Sequence, residues 1–330
     1  MKILAVDDDP NILQLLIEVL RAGGFTNLLA CPSAKEALKV ISHVDVPFDC
    51  FLLDIQMNDM DGIELTSKIR ALDAYRKTPI LMMTAMSERS YIDRAFTAGA
   101  SDYITKPFAI VDIHSRLRLI QSLINERRQM EDCNPTLQAT SPSSIVTAAD
   151  LERRFLLQDI DGFVDYLALE NYLFQISHAS LFGTIAFGVV VQEMTSVFRS
   201  SSLFEFEAAL IDFAEAISDC LKPQSFLAAH AGGGHFVCVL SKCHDFDPEK
   251  FEQHLTETLK ELDLHFCDGR GVSLRAVVGD SVSLHLKSPR GLANSLIQAL
   301  HNAEAEAENP RSKRRAPPSP LTRLFGFVSA

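Results

Sequence analysis

The sequence predicts an α/β protein built from two domains, and three observations support this fold class. First, 330 residues are more than one hydrophobic core usually contains. Second, short apolar runs alternate with helix-period segments over the first third of the chain. Third, a segment rich in Pro, Ser and Thr separates this third from a longer region with its own strand and helix patterns. We expect a domain at 1–122, a helical extension and linker at 123–148, a second domain at 149–306 and a basic disordered tail at 307–330.

The first domain contains five apolar, β-type runs, each followed by a helical pattern. This alternation is typical of a parallel sheet with helices on both faces. Ligands of such sheets bind beyond the carboxyl ends of the strands. The predicted strands are Lys2–Val6, Asn27–Ala30, Cys50–Asp54, Ile80–Thr84 and Asp102–Thr105. The predicted helices are Ile12–Ala22, Ala34–Ile41, Ile63–Leu72, Ser90–Ala98 and a fifth that starts near Val111.

Composition limits the classes of partner and the cellular location. The net charge of -12 disfavours nucleic acid, and DNA in particular, because an acidic surface repels phosphates. The longest apolar stretch, Leu181–Val191, is roughly half the length of a membrane-spanning helix. The first ten residues carry acids where a signal peptide is apolar. We therefore expect a cytoplasmic protein, and its seven cysteines, which form no CxxC pair, indicate reduced thiols.

Polar side chains lie at or just after the carboxyl ends of four predicted strands. Because parallel strands end at one edge of the sheet, we expect these side chains to converge. A carboxylate there can accept a phosphoryl group when a metal ion offsets the charge, while an ammonium and a hydroxyl bind phosphoryl oxygens. The residues are Asp7, Asp8, Asp54, Thr84 and Lys106.

A divalent cation is expected among these side chains. Mg2+ (or Mn2+) prefers oxygen ligands, which Asp8, Asp54 and the backbone carbonyl of Gln56 can supply. Asp7 is expected to orient Asp8 or water without contacting the metal. Asp54 is the predicted phosphoacceptor, and Lys106 is expected to pair with it.

Four segments resemble the receiver domain of two-component response regulators: Ile3–Pro10, Leu52–Gly62, Pro79–Ala85 and Asp102–Phe108. The resemblance covers the first domain. It implies a flavodoxin-like (βα)5 fold, as in CheY-like proteins, and phosphorylation of Asp54. It also implies a sensor histidine kinase or phosphotransfer protein as the partner.

The same resemblance predicts a conformational switch. In the family, phosphorylation draws a threonine hydroxyl inward and an aromatic side chain of the fifth strand follows, and Thr84 and Tyr103 occupy those positions. The face of the fourth helix, fifth strand and fifth helix is where family members often pair, so we expect a phosphorylation-dependent homodimer. Asn58 stands where the family usually has proline, and we expect it to loosen the loop slightly without removing a ligand.

The second domain contains a glycine-rich hairpin. Residues Gln224–Leu240 resemble the signature hairpin of GGDEF diguanylate cyclase domains, in which two acids occupy the positions of Gly234 and His235. The matching and degenerate positions are Gly232, Gly233, Gly234, His235 and Phe236. The predicted strands of this domain are Thr184–Val191, Phe236–Leu240 and Val272–Val278, and the predicted helical segments are Leu151–Ile176, Glu205–Leu221, Pro248–Leu262 and Pro289–Ala303.

Cyclase chemistry needs carboxylates that hold two metal ions. The predicted strand Thr184–Val191 has no acid, and Gly234 has no ligating side chain. We therefore expect an inactive, nucleotide-cyclase-like α/β domain that binds a downstream protein partner or a nucleotide. Cyclic di-GMP and GTP are candidate ligands, but the degenerate motif does not itself support either.

Other interpretations remain open at this point. The domain could be an active diguanylate cyclase with altered metal ligands, with His235 as a general base or new ligand, or the resemblance could be accidental. His235, Cys238, Cys243 and His244 are metal-ligating types, although the first two would face opposite sides of a strand. A transcription factor is disfavoured because no helix-turn-helix with a basic recognition helix is apparent. The tail is either solvated or contacts anionic lipid through Leu321–Val328.

Overall fold

The computed structural model describes residues 1–85, 89–133, 151, 154–155, 157, 160–176, 181–192, 194–222, 224–243, 245–266, 269–272, 274–285 and 287–308. The chain divides into two compact units, one of Met1–Ile145 with Leu156–Ser180 and one of Val146–Phe155 with Leu181–Ala330. Residues 134–148 of the predicted linker and 309–330 of the predicted tail lie outside the described residues.

The first unit has a five-stranded parallel sheet in the order β2-β1-β3-β4-β5, which confirms the predicted flavodoxin-like (βα)5 arrangement. Each strand is followed by a helix, with a short 3-10 helix at Asp73–Tyr75. The elements are β1 Ile3–Val6, α1 Pro10–Ala22, β2 Leu28–Cys31, α2 Ala34–His43, β3 Cys50–Asp54, α3 Gly62–Arg70, β4 Ile80–Thr84, α4 Arg89–Thr97, β5 Asp102–Thr105 and α5 Ile110–Cys133.

Burial and capping explain these elements. Every residue of β1, β3 and β4 is buried, as expected for strands covered by helices on both faces. Helices α1, α2 and α3 begin after Asp9, Ser33 and Asp61, whose side chains accept hydrogen bonds from first-turn N–H groups. Burial and the capped helices α1 and α3 therefore fix the points at which β1 and β3 end.

Helix α6, Tyr166–Gln175, packs on the first unit. It lies within the predicted amphipathic stretch Leu151–Ile176, which the sequence placed in the second domain. Its N-terminus is capped by Asp165, Leu169 and Tyr172 are buried, and the Tyr172 ring packs edge-to-face on Phe96 of α4. The first unit thus includes a helix from beyond the predicted linker.

The second unit has a five-stranded antiparallel sheet in which β6 is central. The order is β10-β6-β8-β7, and β9 pairs with a further part of β6. Its elements are β6 Ile185–Gln192, α7 Met194–Ser200, α8 Leu203–Leu221, β7 Phe226–Gly232, β8 His235–Leu240, α9 Pro248–Glu261, β9 Arg275–Val278, β10 Val282–Ser283 and α10 Pro289–Glu308.

Some bounds differ from the predictions. Strand β9 is shorter than the predicted Val272–Val278, and α10 extends past the predicted Ala303 to Glu308, into the start of the predicted tail. Neither α7 nor β10 was predicted, since both are too short to show a clear period in the sequence. No helix among the described residues is long and apolar enough to span a bilayer.

Candidate functional site

Three carboxylates meet at the carboxyl edge of the parallel sheet. Strand β1 leads into Asp7 and Asp8, and its neighbour β3 ends at Asp54. One carboxylate oxygen from each of the three lies within 4.8 Å of the others. Asp7 and Asp54 are buried, with 0% and 3% exposure. Within the described part of the chain, this is the single group of His, Cys, Asp and Glu side chains arranged to hold a metal ion.

Lys106 bridges two of these carboxylates. Its Nζ lies 2.6 Å from Oδ2 of Asp7 and 2.7 Å from Oδ1 of Asp54. Burial alone would lower the pKa of Lys106, but the hydrogen bonds to Asp54 and Asp7 raise it overall. Its backbone N–H donates to the Thr84 carbonyl at 2.6 Å, so the end of β5 is tied to the end of β4. The predicted pairing with Asp54 is present, and Asp7 shares the same ammonium.

Asn58 holds the third carboxylate, Asp8. The backbone N–H and the side-chain amide of Asn58 both donate to Oδ2 of Asp8, at 3.0 and 2.7 Å. The expectation that Asn58 loosens the loop is therefore corrected, because Asn58 ties the loop to the acid cluster. A proline could donate neither bond, since it has no N–H and no amide side chain. The departure from the family pattern was the signal that could have revealed this role.

Gly62 allows α3 to begin directly beneath the end of β3. A Cβ at this position would lie 2.0 Å from the backbone oxygen of Asp54 and 2.9 Å from its carbonyl carbon. The Gly62 N–H also donates to the Ile55 carbonyl at 2.9 Å. A residue with a side chain could not come this close to the backbone of Asp54 without displacing it.

Of the remaining predicted site residues, Thr84 and Gln56 lie at this edge, and Tyr103 lies within β5. Thr84 ends β4 and is fully buried, and Gln56 follows β3 and is exposed. Tyr103 is 4% exposed, and its hydroxyl donates to the Gln175 carbonyl of α6 at 3.2 Å. Burial, reinforced by Asp102, raises the pKa of Tyr103 to about 12. The predicted switch tyrosine is thus covered by α6, which the sequence did not indicate.

The raised pKa of the Asp54 carboxyl makes the free energy of unfolding depend on pH. Burial raises its pKa to about 6, against the opposing effect of Lys106. The folded state holds this proton more tightly than the unfolded state. The protonated carboxyl therefore stabilises the fold fully below pH 3.8, and this stabilisation is lost as the pH rises through about 6. Without divalent metal, the parent is expected to lose roughly 1 kcal/mol between pH 5 and pH 8 that Asp54→Asn does not lose. Urea unfolding in chelator at both pH values measures this difference, and parallel curves for the two proteins would contradict it.

The glycine-rich hairpin lies between β7 and β8 in the second unit. Gly232, Gly233 and Gly234 all have positive φ, which explains why this turn needs glycines. A Cβ on Gly234 would lie 2.6 Å from the Met194 side chain. The Gly233 N–H donates to the Leu151 carbonyl at 2.9 Å. The turn is therefore packed against the chain's own residues.

His235 is anchored at both ring nitrogens. Its Nδ1 lies 3.0 Å from the Gly232 carbonyl and its Nε2 lies 3.2 Å from Oε1 of Glu304. Phe236 and Cys238 are fully buried in β8. Within the described residues, His235, Cys238 and Cys243 form no candidate metal group, and His244 lies outside them.

Because of His230 on β7, we expect the second unit to lose stability at acidic pH. The ring is 2% exposed, its Nδ1 accepts from the Phe155 N–H at 2.9 Å, and its Nε2 has no hydrogen-bond partner among the described residues. Burial, with His235 and Arg154, lowers its pKa to about 3. Stability is therefore lost as pH falls below the ordinary value of 6.5, where the unfolded histidine takes a proton.

The matching variant is His230→Phe. Between pH 7 and pH 5, urea unfolding of the parent should show a loss of about 2 kcal/mol beyond that of the variant. The comparison uses the change with pH, so a constant cost from the unpaired Phe155 N–H does not affect it. An equal loss in both proteins would contradict a buried neutral imidazole.

Comparison with known proteins supports the assignment of the first unit. Residues 3–118 match the family described as response regulator receiver domain. The chain is 38% identical over 116 residues to transcriptional regulatory protein YvrH of Bacillus subtilis, covering 35% of this chain and 47% of that protein. It is 36% identical over 117 residues to chemotaxis protein CheY-3 of Vibrio cholerae, covering 36% of this chain and 88% of that protein.

Solved structures include a similar one, a putative response regulator from Chloroflexus aurantiacus J-10-fl. It is 33% identical, with 37% of this chain and 97% of that chain covered and a TM-score of 0.35. The chain spans about half the length of YvrH. The match to CheY-3, in contrast, extends over most of that relative. Through residues 3–118, the chain belongs to the response regulator receiver domain family.

Proposed function

We propose that this chain is a two-component response regulator that accepts a phosphoryl group on Asp54. The main observation that supports this proposal is the convergence of Asp7, Asp8 and Asp54 around Lys106. Receiver domains generally bind Mg2+ at such an acidic site, and their presence implies a histidine kinase or phosphotransfer partner. Oxygen-only ligands fit Mg2+ or Mn2+, which would offset the charge of the incoming phosphoryl group.

Asp8, Asp54 and the Gln56 carbonyl are proposed to hold the cation, and Asp7 to fix Lys106. The Asp54 carboxylate attacks phosphorus in line, the P–N bond of the donor phosphohistidine breaks, and the donor histidine leaves with the electron pair. Lys106 is already 2.7 Å from Asp54 and can then pair with a phosphoryl oxygen. The Thr84 hydroxyl is proposed to donate a hydrogen bond to a second phosphoryl oxygen.

We infer that the second unit is a GGDEF-like module that binds a partner instead of catalysing cyclisation. Strand β6 contains no acid. The Gly233 N–H, which an open glycine turn could offer to a phosphate, is bonded to Leu151. His235 is held by Gly232 and Glu304, so it is not free to act as a base. A protein or nucleotide ligand, in the cytoplasm, is the proposed output.

The test uses the full chain. Incubation with acetyl phosphate and Mg2+ should add one phosphoryl group per chain in the intact mass, and chelator should prevent it. Absence of any added mass would overturn the proposed phosphoryl acceptance. GTP and Mg2+ added to the phosphorylated protein should give no cyclic di-GMP, and product in excess of the protein would overturn the non-catalytic output.

A further inference from the structure

Helix α6 covers the face of the first unit formed by α4, β5 and α5. Its polar contacts reach three different parts of this face. The Tyr172 hydroxyl donates to Oδ1 of Asp93 in α4 at 2.7 Å, and the Asn171 amide donates to the Ser101 carbonyl before β5 at 3.2 Å. The Tyr103 hydroxyl donates to the Gln175 carbonyl at 3.2 Å. The helix is therefore held at several points along its second half.

The apolar side of α6 is buried in the same contact. Leu169, Tyr172 and Leu173 are 0%, 2% and 1% exposed. The Tyr172 ring meets Phe96 of α4 edge-to-face, with centroids 5.4 Å apart, and Phe96 also meets Tyr103 edge-to-face at 6.1 Å. These three rings form one aromatic cluster of α4, β5 and α6, which fixes the helix by burial as well as by hydrogen bonds.

The third element of the face, α5, contacts the last turn of α6. Arg116 of α5 forms an ion pair with Asp102 of β5. The side-chain amide of Gln175 lies against this pair, and its oxygen accepts from Arg116 when the amide is oriented to satisfy both of its groups. Residues of α4, β5 and α5 thus all contact α6, and this is the face through which we predicted a homodimer.

The contact is connected to the acid cluster through β5. Tyr103 and Lys106 belong to the same short segment, and Lys106 holds both Asp7 and Asp54. A phosphoryl group on Asp54 adds charge at the position where Lys106 now binds. Lys106 would then pair with the phosphoryl group, and any movement of β5 that followed would act directly on the Tyr103–Gln175 hydrogen bond.

A short helix suits release because it is not stable alone. At ten residues, α6 is below the length at which isolated helices persist in water, so its helicity depends on docking. We propose that residues 160–176 form a latch segment that occupies the α4–β5–α5 face, and that phosphorylation of Asp54 releases it and frees the face for a second copy. The phosphorylation step rests on the proposed function.

Hydrogen exchange of the full chain tests this latch. With Mg2+ and beryllofluoride or acetyl phosphate, amides of Tyr166–Gln175 should exchange at least about ten-fold faster, and sedimentation should show dimer. Intact mass after acetyl phosphate distinguishes the two failures. A phosphorylated chain with unchanged α6 exchange overturns the latch alone, whereas a chain that takes no phosphoryl group overturns the proposed function as well.

A pair of variants tests the contact without phosphorylation. Tyr172→Ala should speed α6 exchange and increase dimer, while Phe174→Ala, on the 43%-exposed neighbour of the same helix, should leave both unchanged. Tyr172→Phe removes only the hydroxyl bonded to Asp93 and should give a smaller change in the same direction. Equal exchange in Tyr172→Ala and Phe174→Ala, or dimer formation while α6 stays protected, would overturn the proposal.

Discussion

Asp54→Asn is expected to abolish phosphoryl transfer to the chain, with a rate at least about a thousand-fold below that of the parent. The amide keeps the shape of the side chain but is not a nucleophile, and it removes one of the three carboxylates of the metal group. Labelling with acetyl phosphate and Mg2+, followed by intact mass, measures the effect. Removal of Mg2+ from the parent should give a similar loss.

The control for this variant is Asp59→Asn. Asp59 lies in the same loop region, but its side chain is 71% exposed and pairs with Lys35 at 3.0 Å outside the acid cluster. Asparagine also tolerates the positive φ of this position, 68°. Its labelling should match the parent. Full labelling of Asp54→Asn would show that another residue is the acceptor.

Gly62→Ala is expected to have the largest effect on stability, a loss of about 3 kcal/mol. The added methyl group would lie 2.0 Å from the backbone oxygen of Asp54, and neither β3 nor the start of α3 can move without breaking buried contacts. Urea unfolding measures the loss. Phosphoryl transfer should fall as well, because the backbone that carries Asp54 is displaced.

Gly271→Ala is the matched control, since a Cβ there meets nothing within 4 Å. It should unfold at nearly the same urea concentration as the parent. If Gly62→Ala behaved like Gly271→Ala, the close approach of α3 to β3 would not be a feature of the folded protein.

The sheet of the first unit was predictable because its strands are short, mostly apolar runs between turns. The bounds of β3, β4 and β5 agree with the sequence predictions for this reason. The convergence of Asp7, Asp8 and Asp54 followed from the same topology, since neighbouring parallel strands end together. The sharing of Lys106 between Asp7 and Asp54 depends on side-chain conformations, which no sequence pattern specifies.

The location of α6 could not be predicted in the same way. An amphipathic pattern indicates that one side of a helix is buried, but it does not identify the surface that buries it. Chain order suggested the second domain, whereas Tyr172 and Asn171 contact α4 and the start of β5. In the second unit, the hairpin was recognisable from its glycines, but the bond from Gly233 to Leu151 depends on a segment distant in sequence.

The two hydrogen bonds from Asn58 to Asp8 bear on how the acid cluster is loaded. Both donors bind the same oxygen, Oδ2, so that oxygen is already shared when a cation arrives. The loop thereby holds the Asp8 carboxylate close to Asp7 and Asp54 despite the repulsion between their charges. A cation that displaced either bond would also free Asn58, so metal loading through this oxygen should lower the order of the loop.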